Sequence, residues 1–533
     1  MKLPFRLLFC YLLISLVLIS CSSTKKNVVT VTGSENQWPM SGGPDGSWKI
    51  ETSLKVPTKW SVRTGENIKW KKTLPEGGQS GIAVWGDKIF LTINPPNDDP
   101  TYSEASDVKG GATNKDIVLF CLNSNNGDIV WNKTIKGTIE SEYNYGFSDA
   151  TTPTPMTDGK HVWAINASGG MACFSMEGHL VWERTWQPIP VTPNRPFNKQ
   201  FDSIIFEDFI LNVEPAVEND SIRTTAWNYL HAFDKNTGNR LWVTKAAVTN
   251  YNTPVLGETK DGKPAILMGR GGPHSVPERP VGLSLISLHD KTQGEALWHW
   301  EPKEKNNVSG WGALSTQHWN GEKASWFYEG KSHLTIDTKT GKLVSQKDMR
   351  IVDLNKYDTI SKKYNLQKDV EIKDFGGAYH YHYHCNIPVG EYVYFMGLYK
   401  PFIKRHHTTT GKTEYLEVPE EMSEDGGYIW KKQSNDGLNS QGQLHSSDNR
   451  TRGGGFQKCF LGSPTVINDY IYFTSAIGIV YVIDANAEKL DESAIIAIND
   501  LGERGKTWTV NSLSFASGNI YHRTMKEIVC IGK

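Results

Sequence analysis

Along this chain a short polar turn is followed, again and again, by an apolar, aromatic-rich run. Gly86-Asp87 leads into Lys88-Ile89-Phe90, Asp158-Gly159-Lys160 into His161-Val162-Trp163, and Asn468-Asp469 into Tyr470-Ile471-Tyr472. Glu207-Asp208, Gly390-Glu391 and Ser517-Gly518 open the same pattern, and looser copies surround Asp261-Gly262 and Asn320-Gly321. A Gly, Asp or Asn turn between two runs of β-formers is the signature of a β-hairpin. The pattern predicts eight hairpins.

A second pattern follows the hairpins. Its fullest copy is Ala232, Asp234, Thr237, Gly238 and Trp242. Cys121, Asn123, Gly127 and Trp131 repeat the offsets; Cys173, Ser175, Gly178 and Trp182 do so with one residue fewer, and Ser287, His289, Gly294 and Trp298 with one more. Thr335, Asp337 and Gly341 keep the turn but end in Ser345, His407 and Gly411 end in Tyr415, and Val482 and Asp484 begin a degenerate copy. Asp or Asn starts a turn by bonding its own backbone, and Gly supplies the positive φ. Trp then fills the gap to the next sheet. The last residues, 512–531, supply a hairpin and one strand without a Trp strand, whereas Thr64-Gly65 and Trp70 form a Gly…Trp strand without a hairpin. Each end supplies what the other lacks. The expected fold is all-β: an eight-bladed β-propeller over residues 38–533, closed by pairing an N-terminal strand (about 64–72) with the C-terminal blade. Insertions at 95–115, 188–200, 269–282, 351–379 and 423–457 read as surface loops.

The A-x-D-x-x-T-G-x-x-x-W motif of residues 232–242 and the opening Trp38-Pro39-Met40-Ser41-Gly42-Gly43-Pro44 resemble the pyrroloquinoline quinone (PQQ) dehydrogenase-like propeller repeat proteins, which include bacterial lipoproteins. The resemblance implies two kinds of function. Enzymes of the family stack PQQ between a Trp and two adjacent cysteines, beside a calcium ion held by Glu, Asn and Asp. This chain has no Cys-Cys dipeptide, and no residue of it matches the calcium ligands or the catalytic Asp by motif. Other relatives are scaffold subunits of the outer-membrane β-barrel assembly machinery, which offer strand edges and loops to a partner protein.

Lys2 and Arg6 precede an apolar stretch at 7–19, too short to span a bilayer and read as a secretory leader over residues 1–20. Leu18-Ile19-Ser20-Cys21 resembles a lipobox, which makes Cys21 the lipidated residue and 21–37 a flexible tether. The location this implies is the bacterial cell envelope, lipid-anchored and at the outer membrane, with the lipid as the sole membrane contact. Cys121, Cys173, Cys385, Cys459 and Cys530 remain, an odd set without a C-x-x-C pair.

Lys+Arg total 57 and Asp+Glu 58, so the net charge is −1 and no basic footprint for nucleic acid exists. Candidate chemistry is sparse. His380, His382 and His384 share one face if extended, and read as channel lining or as part of a metal site. Arg405, His406 and His407 read as an exposed strand edge, and Glu420-Glu421 as a solvated pair. The Gly-rich stretches 269–272 and 452–455 lack a following G-K-[ST] and read as loops. The leading expectation is a non-catalytic binding or scaffold propeller for an envelope protein or a glycan, with no cofactor assigned. The alternative is a PQQ-dependent dehydrogenase, with calcium, acting on an alcohol, aldehyde or sugar.

Overall fold

A computed structural model describes residues 35–96, 115–139, 149–188, 202–215, 228–244, 246, 253–270, 282–302, 318–328, 331–372, 386–397, 401–431, 434–444 and 462–533. Among them, eight antiparallel sheets follow one another along the chain as the blades of a propeller. Blade one runs Ala83–Trp85, Lys88–Ile93, Ile117–Asn123, Ile129–Ile135, from its innermost strand outward. Every hairpin turn predicted from the sequence joins the first two strands of a blade; in blade five the first strand shrinks to a single bridge, Trp319 to Ala324. No α-helix occurs among the described residues; Glu492–Ala494 is one 3₁₀ turn.

Strand position dictates composition. His161–Asn166 and Gly170–Ser175 in the middle of blade two are buried on both faces and mostly apolar, with polar residues confined to their ends. Leu180–Thr185, its outer strand, alternates between exposed and half-buried residues because only one face meets a neighbour. Blade eight is built from both chain ends: Ser514–Ala516, Asn519–Arg523 and Glu527–Ile531 are completed by Ile68–Thr73. Ile68 lies opposite Ile531, Trp70 opposite Cys530 and Thr73 opposite Glu527.

The repeat residues meet across blades. Gly238, in the turn between the last two strands of blade three, has φ +72°, and a Cβ there would lie 2.7 Å from the Trp182 ring of blade two. Gly127, Gly178, Gly294 and Gly341 face Trp70, Trp131, Trp242 and Trp298 in the same way. The indole N–H of Trp182 donates to the Lys235 carbonyl at 3.0 Å, and those of Trp70, Trp131 and Trp298 donate to Ser124, Met176 and Thr338 carbonyls. Each Trp thus belongs to one blade and seats on the turn of the next. Within a blade it sits opposite the small residue: Cys121 faces Trp131, Cys173 faces Trp182 and Ala232 faces Trp242. Blade four differs, since its longer turn shifts the register and sets Leu285, not Ser287, opposite Trp298. Gly411 has no Trp to meet, and a Cβ on it would lie 3.3 Å from the Lys347 side chain.

One insertion is not the loop the sequence suggested. Ile351–Asp358 and Lys363–Glu371 form a hairpin, and the first of these strands pairs in parallel with Thr413–Glu417, the fourth strand of blade six. Blade six therefore has six strands. Polar sequence misled here because both faces of an added edge strand meet water. The segment 434–444 crosses toward blades eight and one: Asn435 donates to the Thr507 carbonyl, Lys526 pairs with Asp436, and Asn439 donates to Glu76 at 2.6 Å.

The interlock makes a paired prediction. Gly262 has φ +76° with nothing within 4 Å of an added Cβ, so Gly262→Ala carries only the cost of its backbone conformation, about 1 kcal/mol. Gly238→Ala carries the same cost and also displaces Trp182, adding about 1–3 kcal/mol. Urea unfolding of the two variants should show a clearly lower midpoint for Gly238→Ala.

Candidate functional site

The first described residues circle the inside of the ring at the end bearing the hairpin turns. The Glu35 carbonyl accepts from Ser517 of blade eight, that of Asn36 from Gly86 of blade one, and that of Pro39 from Thr157 of blade two. Ser41 donates to Asp202 ahead of blade three (2.8 Å), and Trp48 makes an edge contact with His318 ahead of blade five, ring centroids 6.5 Å apart. Lys49–Ile50 then runs parallel to Thr465–Ile467 of blade seven. The motif at 38–44 is what lets this segment turn so tightly. Gly43 has φ +79°, a Cβ on it would strike the Trp38 ring at 2.9 Å, and the Trp38 indole donates to the Ser41 carbonyl. Trp38, Met40 and Trp48 are buried. Among the described residues, Glu35, Asn36 and Gln37, the last three of the stretch read as tether, already make such contacts.

Above this floor lies an axial cavity of about 80 Å³. Its wall comes from residues just before the inner strands of six blades, among them Gln79, Thr152, Thr154, Asp202, Thr253, Ser463, Asn511 and Ser512, with Ser41 and Trp48 from the floor. The wall mixes hydroxyls and amides with the apolar side chains of Ile82 and Val510, and holds one carboxylate. Asp202 is held in place: Oδ1 accepts from the Thr154 N–H at 2.8 Å, Oδ2 from Ser41, and its own N–H donates to Thr253 Oγ1. The Trp48 side chain is buried, and its indole N–H has no hydrogen-bond partner. By the measure on which a water needs roughly 10–15 Å³, the cavity takes several waters or one compact ligand. This wall leaves no mark in the sequence, since single Ser and Thr residues at strand entrances carry no motif.

Ionisable groups gather instead between blades five, six and seven. Arg405 lies inside the protein, not on an exposed edge. Its Nε meets Glu414 Oε2 at 2.6 Å, Nη1 and Nη2 donate to the Ala487 and Glu488 carbonyls of blade seven, and the guanidinium stands 4.4 Å from the Tyr392 ring. His406 is equally buried; Nδ1 contacts Thr413 Oγ1 at 2.9 Å, its ring lies 5.0 Å from that of His333, and burial lowers its pKa to about 4. Lys404 stands 4.7 Å from the Tyr415 ring, and burial lowers its pKa to about 7. His407 alone reaches the rim, facing Glu391 at 3.7 Å. The expectation of an open edge failed because Phe402–His407 is an inner strand, paired on one side with Tyr392–Met396 and on the other with Thr413–Glu417.

Glu421 also departs from the solvated pair expected of it. It is buried, Oε1 accepts from the Met422 N–H, and burial pushes its pKa up to about 7. Cys121, Cys173 and Cys530 are buried free thiols in three different blades, and burial raises the pKa of each to between about 11 and 12. Such thiols are inert. Cys21, Cys385, Cys459, His380, His382 and His384 lie outside the described residues.

A family model described as outer membrane protein assembly factor BamB matches residues 108–244. Among solved structures, the chain is similar to a quinohemoprotein alcohol dehydrogenase from Comamonas testosteroni, with 11% identity, a TM-score of 0.53, and coverage of 94% of this chain and 81% of that one. It is similar to a europium-containing methanol dehydrogenase at 11% identity and TM-score 0.50, over 92% of this chain and 89% of that one. BamB from Moraxella catarrhalis aligns at 14% identity and TM-score 0.36, over 75% of this chain and all of that one. No curated protein matches. The two dehydrogenase likenesses show the β-propeller fold, and residues 108–244 carry the match to the BamB family model. PQQ itself is a tricarboxylate, and Asp202 is the one ionisable residue among the described residues of the axial wall. Among the described lining residues none is a cation that could pair with a tricarboxylate.

Glu421 supplies a pH test. Its folded pKa of about 7 stands above the ordinary 4.5, so the folded state binds the extra proton between those values. The resulting stabilisation is complete below pH 4.5 and is lost as pH rises to about 7. Glu421→Gln keeps the neutral form at every pH. The variant should match the wild type in urea midpoint near pH 4.5 and exceed it at pH 8.

Proposed function

We propose that this PQQ-like β-propeller is a non-catalytic binding module of the bacterial envelope, anchored by lipid on Cys21, with its axial cavity as a binding site. The observation that carries the reading is the axial wall itself: hydroxyls and amides from six blades converge over Trp48, around an Asp202 already held by three hydrogen bonds. Such a wall offers many directional contacts to a ligand. A protein partner is supported separately by the BamB family model and by blade six, where Lys363–Glu371 is an edge strand nine residues long. An edge of that length can accept a further strand through its main chain.

Two measurements test this. Cys21→Ser should move the protein from the membrane fraction to the soluble envelope fraction and abolish palmitate labelling; unchanged fractionation would remove the anchor. Crosslinking in intact cells should recover a defined envelope partner or glycan, and replacing Leu366 by Pro in the edge strand should lower recovery of a partner bound there. Reduction of a dye by the purified protein with added PQQ, Ca²⁺ and an alcohol would replace the binding reading with the dehydrogenase one.

A further inference from the structure

The outer edge of blade six has a residue order that selects its partner, on the reading that this edge accepts a strand. The hairpin that forms the edge is firmly held. Tyr357 stacks on Trp430 with ring centroids 3.7 Å apart, the Tyr364 hydroxyl donates to the Glu417 carbonyl, and the Asn355 amide donates to the Leu490 carbonyl of blade seven. Its second strand, Lys363–Glu371, ends the sheet, and no described strand pairs with its outer side. Leu366 on that strand is 54% exposed, Ile360 at the hairpin tip 92%, and Ile351 at the opposite end of the hairpin 48%. A rigid strand with unpaired main-chain groups and apolar side chains in water is a surface that a further strand would satisfy.

The strand complements itself. Two copies laid antiparallel about a two-fold axis at Leu366 set that leucine against its own equivalent, Asn365 against Gln367, and Lys363 against Asp369. The last two pairings occur twice, once on each side of the axis. Neighbouring registers are worse. An axis at Asn365 brings Lys362 opposite Lys368. An axis at Gln367 runs the bulge of each strand into the middle of the ladder, since Asp369 has φ +52° and the pairing with Ile351–Asp358 steps there from Gln367 to Val370. With the axis at Leu366 the bulges fall at the two ends, within reach of the long Lys363 side chain. Lysine on an edge ordinarily opposes pairing; here it has an acidic mate. The same register sets the Ile360 tip of each hairpin beside the Ile351 end of the other, so the exposed apolar groups are covered together. We infer that Lys363–Glu371 is a homodimer edge, joining blade six of one copy to blade six of a second through antiparallel main-chain pairing centred on Leu366. A contact of one strand pair and two hairpin tips is small, so the dimer should dissociate in the micromolar range.

Sedimentation of the detergent-solubilised full chain over about 1–100 µM tests this, and should show a dimer that grows with concentration. Lys363→Glu sets like charges against each other on both sides of the axis and should weaken the dimer about tenfold; the swapped pair Lys363→Glu/Asp369→Lys should restore it. Cysteine placement decides the matter if the double variant does not fold. Oxidation of Leu366→Cys should give a covalent dimer beyond any formed by the wild type, whereas Lys363→Cys, about 20 Å from its equivalent across the axis, should not. A monomer at every concentration, a dimer indifferent to Lys363→Glu, or crosslinking at position 363 as readily as at 366 overturns the inference. A monomer that still captures an envelope partner in cells, less so as Leu366→Pro, overturns self-pairing alone; a monomer whose capture ignores Leu366→Pro overturns the reading of the edge beneath it.

Discussion

A tryptophan of one sheet seated on the glycine turn of the next is the contact that turns separate sheets into a ring. The pairing of Trp182 with Gly238 is its best-defined case: no side chain fits between them, and the indole N–H still finds the Lys235 carbonyl. The contact is directional, always from the outer strand of one blade to the turn of its successor. A hydrophobic face buried this way cannot be satisfied within a blade, so a lone blade has no stable fold. Closure follows from the same rule, because Trp70 supplies the missing outer tryptophan of blade eight and docks on the turn of blade one.

Where the tryptophan lapses, other chemistry takes over. Ser345 holds its position in blade five and Tyr415 in blade six. There Arg405 adds an ionic tie to the apolar contact with blade seven, reaching across to two backbone carbonyls while pairing with Glu414. Buried ions are a costly way to join surfaces and depend on every partner being present. The outcome is a ring with two characters: an apolar, repetitive arc from blade eight through blade five, and an ionic, irregular arc through six and seven.

The regular arc was legible because its signals are local. A Gly turn and a Trp at fixed spacing report their own environment, and eight hairpin turns could be counted from the chain alone. The irregular arc was not. Nothing next to Arg405 in sequence reveals that its strand lies between Tyr392–Met396 and Thr413–Glu417, against blade seven, so a run of Arg and His read as an open edge. Glu421 misled for the same reason, being buried by distant segments. The axial wall lay still further from view, since each blade contributes one or two short polar residues that mean something only when six of them converge. The motif at 38–44 was visible, but its role as a floor depends on partners in blades one, two, three, five, seven and eight.

That floor also sets the order in which the molecule can be finished. Gln37–Trp38 finds its strand partner in the first blade to emerge, yet Lys49–Ile50 must wait for Thr465–Ile467, and Ile68–Thr73 for the last strand of all. The opening segment is therefore held open through almost the whole of synthesis, its tryptophans exposed, until the tail arrives to release it from waiting. High contact order of this kind makes folding slow and leaves a long interval of vulnerability to aggregation. A nascent chain stalled or clipped a few residues short of its terminus would carry seven well-made sheets and still have neither a sealed base nor a closed circle.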